Sequence, residues 1–355
     1  MVRLADAIRK QSNHKTNDPG RGGLVRIGKA NRYEGLTREH GKNTTDPKKV
    51  SPRLSASPED IYQGIIHYMN EVGHHVKKGE PFNIQKGFRM ISVIISHPRG
   101  LLDDLHPLTL RSVRNKEESL ATHAANVSIN AMIMGDGFGY PNTKQIELGT
   151  AALFHDIGMY RVPMTIRGKS EKLTSSELEV IRKHPEFSYQ ELFKYGVEYR
   201  GLAEVVSQEH ERMDGSGYPK GLKGDQIHEY AGIIGILDEY DALIHNRPQR
   251  ERLSPADAMK EIVRSSKGLF PTATIKYLLH QLSIYPVKSY VKLNNDSIGV
   301  VVKTNALWPL KPTIALIYDA QGRKVSDDSL IDLSKNSLLY IKDVLREEDI
   351  ADFSQ

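Results

Sequence analysis

Between residues 115 and 283 the chain strings together apolar runs of helical period, and run after run carries a His, Asp or Glu inside or at the end of the apolar stretch. A buried carboxylate is costly unless it is paired or coordinates an ion. A fold that accepts this sequence has to bring such groups together. ESLATHAANVSINAMIMG reads as a helix holding His123 and ended by Gly135. IELGTAALFHDIG reads as a buried helix that delivers His155 and Asp156 and ends at Gly158. Thr174 and Glu177 form a capping box opening LTSSELEVIRKH, whose last residue is His184, with Pro185 closing it. GLAEVVSQEHER reads as the next helix, carrying Glu209 and His210. A Gly-rich loop, MDGSGYPKGLKGD, follows. EYAGIIGILDEYDALIHN resumes the helix, its apolar run interrupted by Asp238 and then Asp241.

Each of these residues has an ordinary explanation when taken alone, such as a satisfied core histidine or a salt bridge. Taken together, His123, His155, His184 and His210 with Asp156, Glu209 and Asp238 make a mixed imidazole and carboxylate set. Such a set suits Fe, Mn, Zn or Ni better than Ca or Mg. His155 and Asp156 are adjacent and so point about 100° apart on a helix; they can share an ion only near the helix end. The chain has no Cys, which rules out disulfides and a thiolate zinc site.

The flanks are of different character. Residues 1–56 are rich in Lys, Arg, Asn, Gly, Ser and Thr without sustained periodicity and read as a basic, disordered segment. Residues 57–114 read as a helical lead-in: Ser57 and Asp60 give a start signal, and Ile61, Ile65, Ile66 and Met69 lie at helical spacing. A second helix is expected over Ile84 to Ser96. Residues 115–284 form the helical heart. Over 285–355 the pattern changes to alternation, with a hairpin around Asn294, Asn295 and Asp296, a third strand at TIALIYD and a turn at Gln321 and Gly322. The expectation is a mainly α fold with a small antiparallel β extension. Of the 355 residues, 39% are hydrophobic, ample for a core, and the net charge of +5 is compatible with an anionic ligand. No apolar stretch approaches a membrane span and no signal-peptide core opens the chain, so a cytoplasmic protein is expected.

HDIGMYRVP resembles the first signature of HD-GYP domains, EHERMDGSGYPKGLKGDQI the second, and DEYDALIHNRPQR the family's closing segment. The likeness runs over roughly residues 58–345 and implies an HD-type helical bundle that hydrolyses cyclic di-GMP to the linear dinucleotide or to GMP through a metal-bridged hydroxide. It implies two transition-metal ions, Fe or Mn. His123, His155, Asp156 and Asp238 match the general HD metal site, and His184 and His210 the second, with Asp156 bridging; Glu209 is counted with the metal residues. His155 and Asp156 would be the catalytic pair. Arg247 and Arg250, with Gly217 and Tyr218 of the GYP loop, would face substrate. The family also associates the GYP loop with GGDEF-type cyclases or other signalling proteins, and a homodimer is left open.

Three positions depart from the pattern. Met159 stands where the family usually has a phosphate-contacting Lys. Glu209 replaces the first of two consecutive histidines. Ser119 stands where members with three ions carry a Glu, so a third ion is not expected. Met159 and Glu209 keep two alternatives open: a weak or inactive receptor for a cyclic dinucleotide, and a hydrolase for another ring such as cyclic GMP–AMP.

Overall fold

Ser57 opens the first helix by accepting the Asp60 backbone N–H, while the Asp60 carboxylate accepts from Ser57 N, so two of the helix's unpaired donors are satisfied. The computed structural model describes residues 56–97, 100–111, 119–245, 252–282, 285–305, 308–325, 329–345 and 350. The basic segment expected over 1–56 thus lies outside them apart from its last residue, as do Arg247 and Arg250. In chain order the helices are α1 (Pro58–Lys78), α2 (Ile84–Ser96), α3 (Leu101–Leu105), α4 (Ser119–Gly137), α5 (Asn142–Phe154), α6 (Met164–Arg167), α7 (Ser175–Ile181), α8 (His184–Phe193), α9 (Arg200–Val206), α10 (Glu229–Ile244), α11 (Pro255–Ser265) and α12 (Thr272–Gln281). The strands are β1 (Tyr290–Leu293), β2 (Ile298–Lys303), β3 (Thr313–Tyr318), β4 (Leu330–Asp332) and β5 (Ile341–Leu345).

Helix α4 is the axis of the bundle. Ala121, Ala124, Ala125, Val127, Ile129, Ala131, Met132 and Met134 are all buried, so it is apolar on nearly every side, the signature of a helix enclosed by others. It packs against α1, α5, α10 and α12. Helix α2 covers α5, and α8 packs on α9 and on the 3-10 turn Ile157–Arg161. The strands form one antiparallel sheet ordered β4-β3-β2-β1-β5, with the expected hairpin joining β1 to β2. Val291, Leu293, Ile314 and Val344 on its inner face join the same apolar core as the helices. No helix among the described residues is long and apolar enough to cross a membrane.

The helical expectation holds in outline and fails at four boundaries. Gly135 does not end α4. It sits against the side chains of Gln145 and Leu148, where an added β-carbon would be 3.4 Å from each, and the chain turns only at Gly139. The helix ahead of His155 stops at Phe154, and Asp156 leaves the helical conformation (φ −102°, ψ 14°). Pro185 does not close a helix but lies in the first turn of α8, where its missing N–H costs nothing. Glu209 and His210 lie on turns beyond α9, because the carbonyls of Glu209 and Glu211 accept from Arg212 and that of His210 accepts from Tyr218 N.

The lead-in reaches the centre through buried polar groups. Tyr62 OH donates to Asn126 Oδ1 (2.7 Å), and Asn126 Nδ2 donates to Asp241 Oδ1 (3.0 Å). Tyr62→Phe leaves the Asn126 oxygen without that donor, and a loss of about 1–3 kcal/mol is expected in denaturant unfolding. An unchanged midpoint and slope would show that the link from α1 contributes nothing.

Candidate metal centre

Helix α4 supplies His123, the end of α5 supplies His155 and Asp156, the start of α8 supplies His184, the turns after α9 supply Glu209 and His210, and α10 supplies Asp238. These seven residues, expected together from the sequence, converge in two groups. His123, His155 and Asp156 offer ligand atoms within 4.8 Å of one another, and so do His184, Glu209 and His210. Within the first group the Nε2 atoms of His123 and His155 lie 3.2 Å apart; within the second those of His184 and His210 lie 3.1 Å apart. Asp238 Oδ1 lies 3.1 Å from His123 Nε2. Asp156 spans the groups: Oδ2 is 3.8 Å from His123 Nε2 and 3.9 Å from His155 Nε2, while Oδ1 is 3.2 Å from His184 Nε2.

The outward ring nitrogens explain why the inward ones face each other. His155 Nδ1 donates to the Ala152 carbonyl (2.7 Å) and His184 Nδ1 to the Ile181 carbonyl (2.8 Å), contacts within the local turn. His123 Nδ1 pairs with Asp241 Oδ2 (2.7 Å). With the proton held on Nδ1 and an ion in place of an Nε2 proton, each ring would turn an Nε2 lone pair to the centre, the arrangement of metal-binding histidines oriented by an outer partner. Asp241 also receives His245 Nδ1 at 3.2 Å. It was visible in the sequence only as a second acid three residues after Asp238. That spacing, one helical turn, was the available signal, and Asn126 stands in the same relation to His123.

The electrostatics call for positive charge. Burial works to lower the His123 pKa, but hydrogen bonds to Asp238 and Asp241 outweigh it and hold the ring at about 10. His184 is likewise raised, to about 9: burial opposes the shift, and Asp156 and Glu209 overcome it. Burial favours the neutral acid at Asp156, yet His184, His155 and His123 keep its pKa below the usual carboxylate value. His210 is lowered, by burial first. Glu209 is fully buried and its Oε2 has no hydrogen-bond partner among the described residues. Facing lone pairs, buried acids and an orphaned carboxylate oxygen all fit a bound cation, and the donor set fits transition ions.

The GYP loop divides into structural and facing parts. A β-carbon on Gly217 would collide with the backbone of His210, Glu211 and Arg212, so this position serves close packing. The Tyr218 ring stacks on His210, with centroids 4.7 Å apart and planes inclined at 18°. Burial, with Glu209, Asp238 and Asp156 adding to it, pushes the Tyr218 phenol up, so it stays a neutral hydroxyl. Glu211, buried, accepts the backbone N–H groups of Lys220 (2.7 Å) and Leu222 (2.8 Å) and pins the loop. Arg212 pairs with Glu239 (2.7 Å) and lies over the Phe270 ring, so it serves the frame. Met159 is half-buried on the 3-10 turn after Asp156. Glu211→Gln keeps the size but removes the charge and one acceptor. Hydrogen exchange at Lys220 and Leu222 is expected to quicken by about tenfold or more, as one charge-assisted bond is worth roughly 1.5–3 kcal/mol. Unchanged exchange would mean that the loop is held by other contacts.

Residues 108–270 match the HD domain family, and residues 290–353, within the expected β extension, match the KOW domain associated with HD domains. The chain is 30% identical over 231 residues to cyclic di-GMP phosphodiesterase PdeB of Borreliella burgdorferi, covering 64% of this chain and 60% of the relative. It is 28% identical over 242 residues to a cyclic di-GMP phosphodiesterase of Pseudomonas aeruginosa, covering 68% and 57%. It is 32% identical over 151 residues to 3'3'-cGAMP-specific phosphodiesterase 3 of Vibrio cholerae, covering 42% and 32%. The match thus spans 60% or less of each of these relatives. In fold it is similar to an HDG"Y"P protein from Bdellovibrio bacteriovorus, with a TM-score of 0.50 and 18% identity over 64% of this chain and 73% of that one. Convergence of the histidines and acids on one centre, the GYP loop packed against it and the matched relatives agree: residues 108–270 form an HD domain similar to those of the cyclic-dinucleotide phosphodiesterases named above.

Proposed function

We propose that this chain is a metal-dependent phosphodiesterase acting on a cyclic dinucleotide, with cyclic di-GMP as the substrate. The observation that carries the reading is the pair of three-residue groups joined by the two oxygens of Asp156. His123, His155, Asp156 and Asp238 would hold one ion, and His184, Glu209 and His210 the other, with Asp156 between them. Iron or manganese suits this donor set. Bound ions would lower the pKa of a water and place positive charge where a phosphodiester gains negative charge. The protein's part is orientation. Asp241 and the carbonyls of Ala152 and Ile181 fix the ring tautomers, and Glu211 holds the loop that stacks Tyr218 on His210. Arg247 and Arg250 follow closely after α10, the helix that carries Asp238, and their guanidinium forks suit the two phosphates of the ring. The exposed rim of the GYP loop, including Asp214, Ser216 and Lys220, is the surface on which a GGDEF-type cyclase or another signalling protein would dock. A cytoplasmic location is part of this reading; among the described residues no helix is long and apolar enough to cross a membrane.

Elemental analysis of anaerobically purified protein, combined with turnover of cyclic di-GMP and cyclic GMP–AMP, tests the proposal. About two transition ions per chain are expected. Asp156→Asn should lose at least about a hundredfold in turnover together with metal. Metal-free protein that hydrolyses cyclic di-GMP would refute it, and preference for the mixed ring would reassign the substrate.

Met159 and Glu209 favour a second reading, a slow enzyme acting chiefly as a receptor. Met159 removes a cation from the substrate side, and Glu209 adds a negative charge to the centre; both reduce the positive charge that a phosphate meets. Glu209→His combined with Met159→Lys is expected to raise turnover of cyclic di-GMP roughly tenfold, the worth of one charge-assisted contact. A brisk wild type that gains nothing from the pair of changes would remove the receptor reading.

A further inference from the structure

Glu209 does more in this structure than fill the place of an imidazole. Its side chain is fully buried, and its two oxygens point to different groups. Oε1 lies 3.1 Å from His184 Nε2 and 3.9 Å from His210 Nε2. Oε2 lies 3.8 Å from His155 Nε2, in the other group, and has no hydrogen-bond partner among the described residues. We propose that Glu209 is a second carboxylate bridge, parallel to Asp156, between the two metal positions. The inference rests on the metal reading given under Proposed function and adds to it which atoms join the ions.

The argument is one of valence and burial. An imidazole held at Nδ1 has a single inward lone pair and serves one ion. A carboxylate has two oxygens and can serve two. Asp156 already divides its oxygens between the groups, and Glu209 repeats the division from the turns beyond α9. A Glu209 that only accepted from His184 would leave Oε2 desolvated and unpaired, which costs about 1–3 kcal/mol or more for a charged group. A cation at the first group removes the difficulty. The backbone places the residue for this role: the Glu209 carbonyl accepts from Arg212, which Glu239 and Phe270 hold in turn. Asp156, Glu209 and Asp238 would then set three carboxylates against two dications. Such a centre retains its ions firmly and carries less positive charge toward a substrate than one with a histidine in the same place.

The test uses the ion-free full chain and manganese(II), titrated anaerobically and followed by calorimetry and electron paramagnetic resonance. Wild type is expected to bind two ions that are exchange-coupled and separated by roughly 3.5–4 Å. His210→Ala weakens the second group and leaves the first occupied. In that background Glu209→Gln is expected to weaken the remaining ion by at least about tenfold, because the neutral amide that replaces the carboxylate is a far poorer ligand for the ion of the first group. Unchanged affinity there makes Glu209 a terminal ligand and overturns the bridge while leaving the metal centre intact. Wild type that binds no manganese overturns the metal reading and the bridge with it. Should the double variant fail to fold, wild type alone decides: two magnetically isolated ions overturn the proposal, and a coupled pair whose coupling falls in Glu209→His supports it.

Discussion

Buried carboxylate charge is the constraint on which this structure depends. Asp156, Glu209, Asp238 and Asp241 lie within a few ångströms of His123, His155, His184 and His210 inside an otherwise apolar bundle. In a low-dielectric interior such acids are tolerated only if positive charge stands beside them. The acids raise His123 and His184 above the usual imidazole range although burial opposes the shift. Divalent ions would replace the protons of these rings with more charge in better geometry. Metal loading of this centre would therefore release histidine protons.

The surrounding bundle converts that local demand into a global one. Tyr62 on α1, Asn126 and His123 on α4, and Asp241 on α10 form one hydrogen-bonded line, so three helices distant in sequence share a buried polar seam. His245 extends it by contacting Asp241 and the Arg111 carbonyl. Networks of this kind specify one arrangement of otherwise interchangeable apolar helices, since a slip in register leaves buried groups unpaired. The ring orientation of His123 is accordingly a property of the packing of α1 and α10 as much as of α4.

Much of this was legible in the sequence, for a definable reason. Helical periodicity and the caps at Ser57 and Thr174 are local signals, and both caps are present. The seven polar residues stood out because they lie inside or at the ends of helical runs. The boundaries that failed were decided by tertiary contacts. Gly135 continues a helix because α5 packs against it, and Glu209 and His210 leave α9 because loop and arginine groups claim the backbone carbonyls there. Asp241 and Asn126 were missed as orienting groups because their partners are more than a hundred positions away along the chain.

The GYP loop shows what a diagnostic motif can consist of. Gly217 permits contact with the backbone of residues 210–212, Glu211 ties down Lys220 and Leu222, and Arg212 braces Glu239 and Phe270. Of the string from Glu209 to Tyr218, Glu209 and His210 turn toward the centre, and Tyr218 covers His210 with its ring. Most of the motif is therefore a mould that fixes two side chains. That division explains how Glu209 can stand in place of a histidine without loss of the fold: the mould holds the backbone at that position, and the chemistry of the side chain is free to differ. The consequence falls on the centre alone, where a side chain with two oxygens stands between the same walls instead of one with a single inward nitrogen.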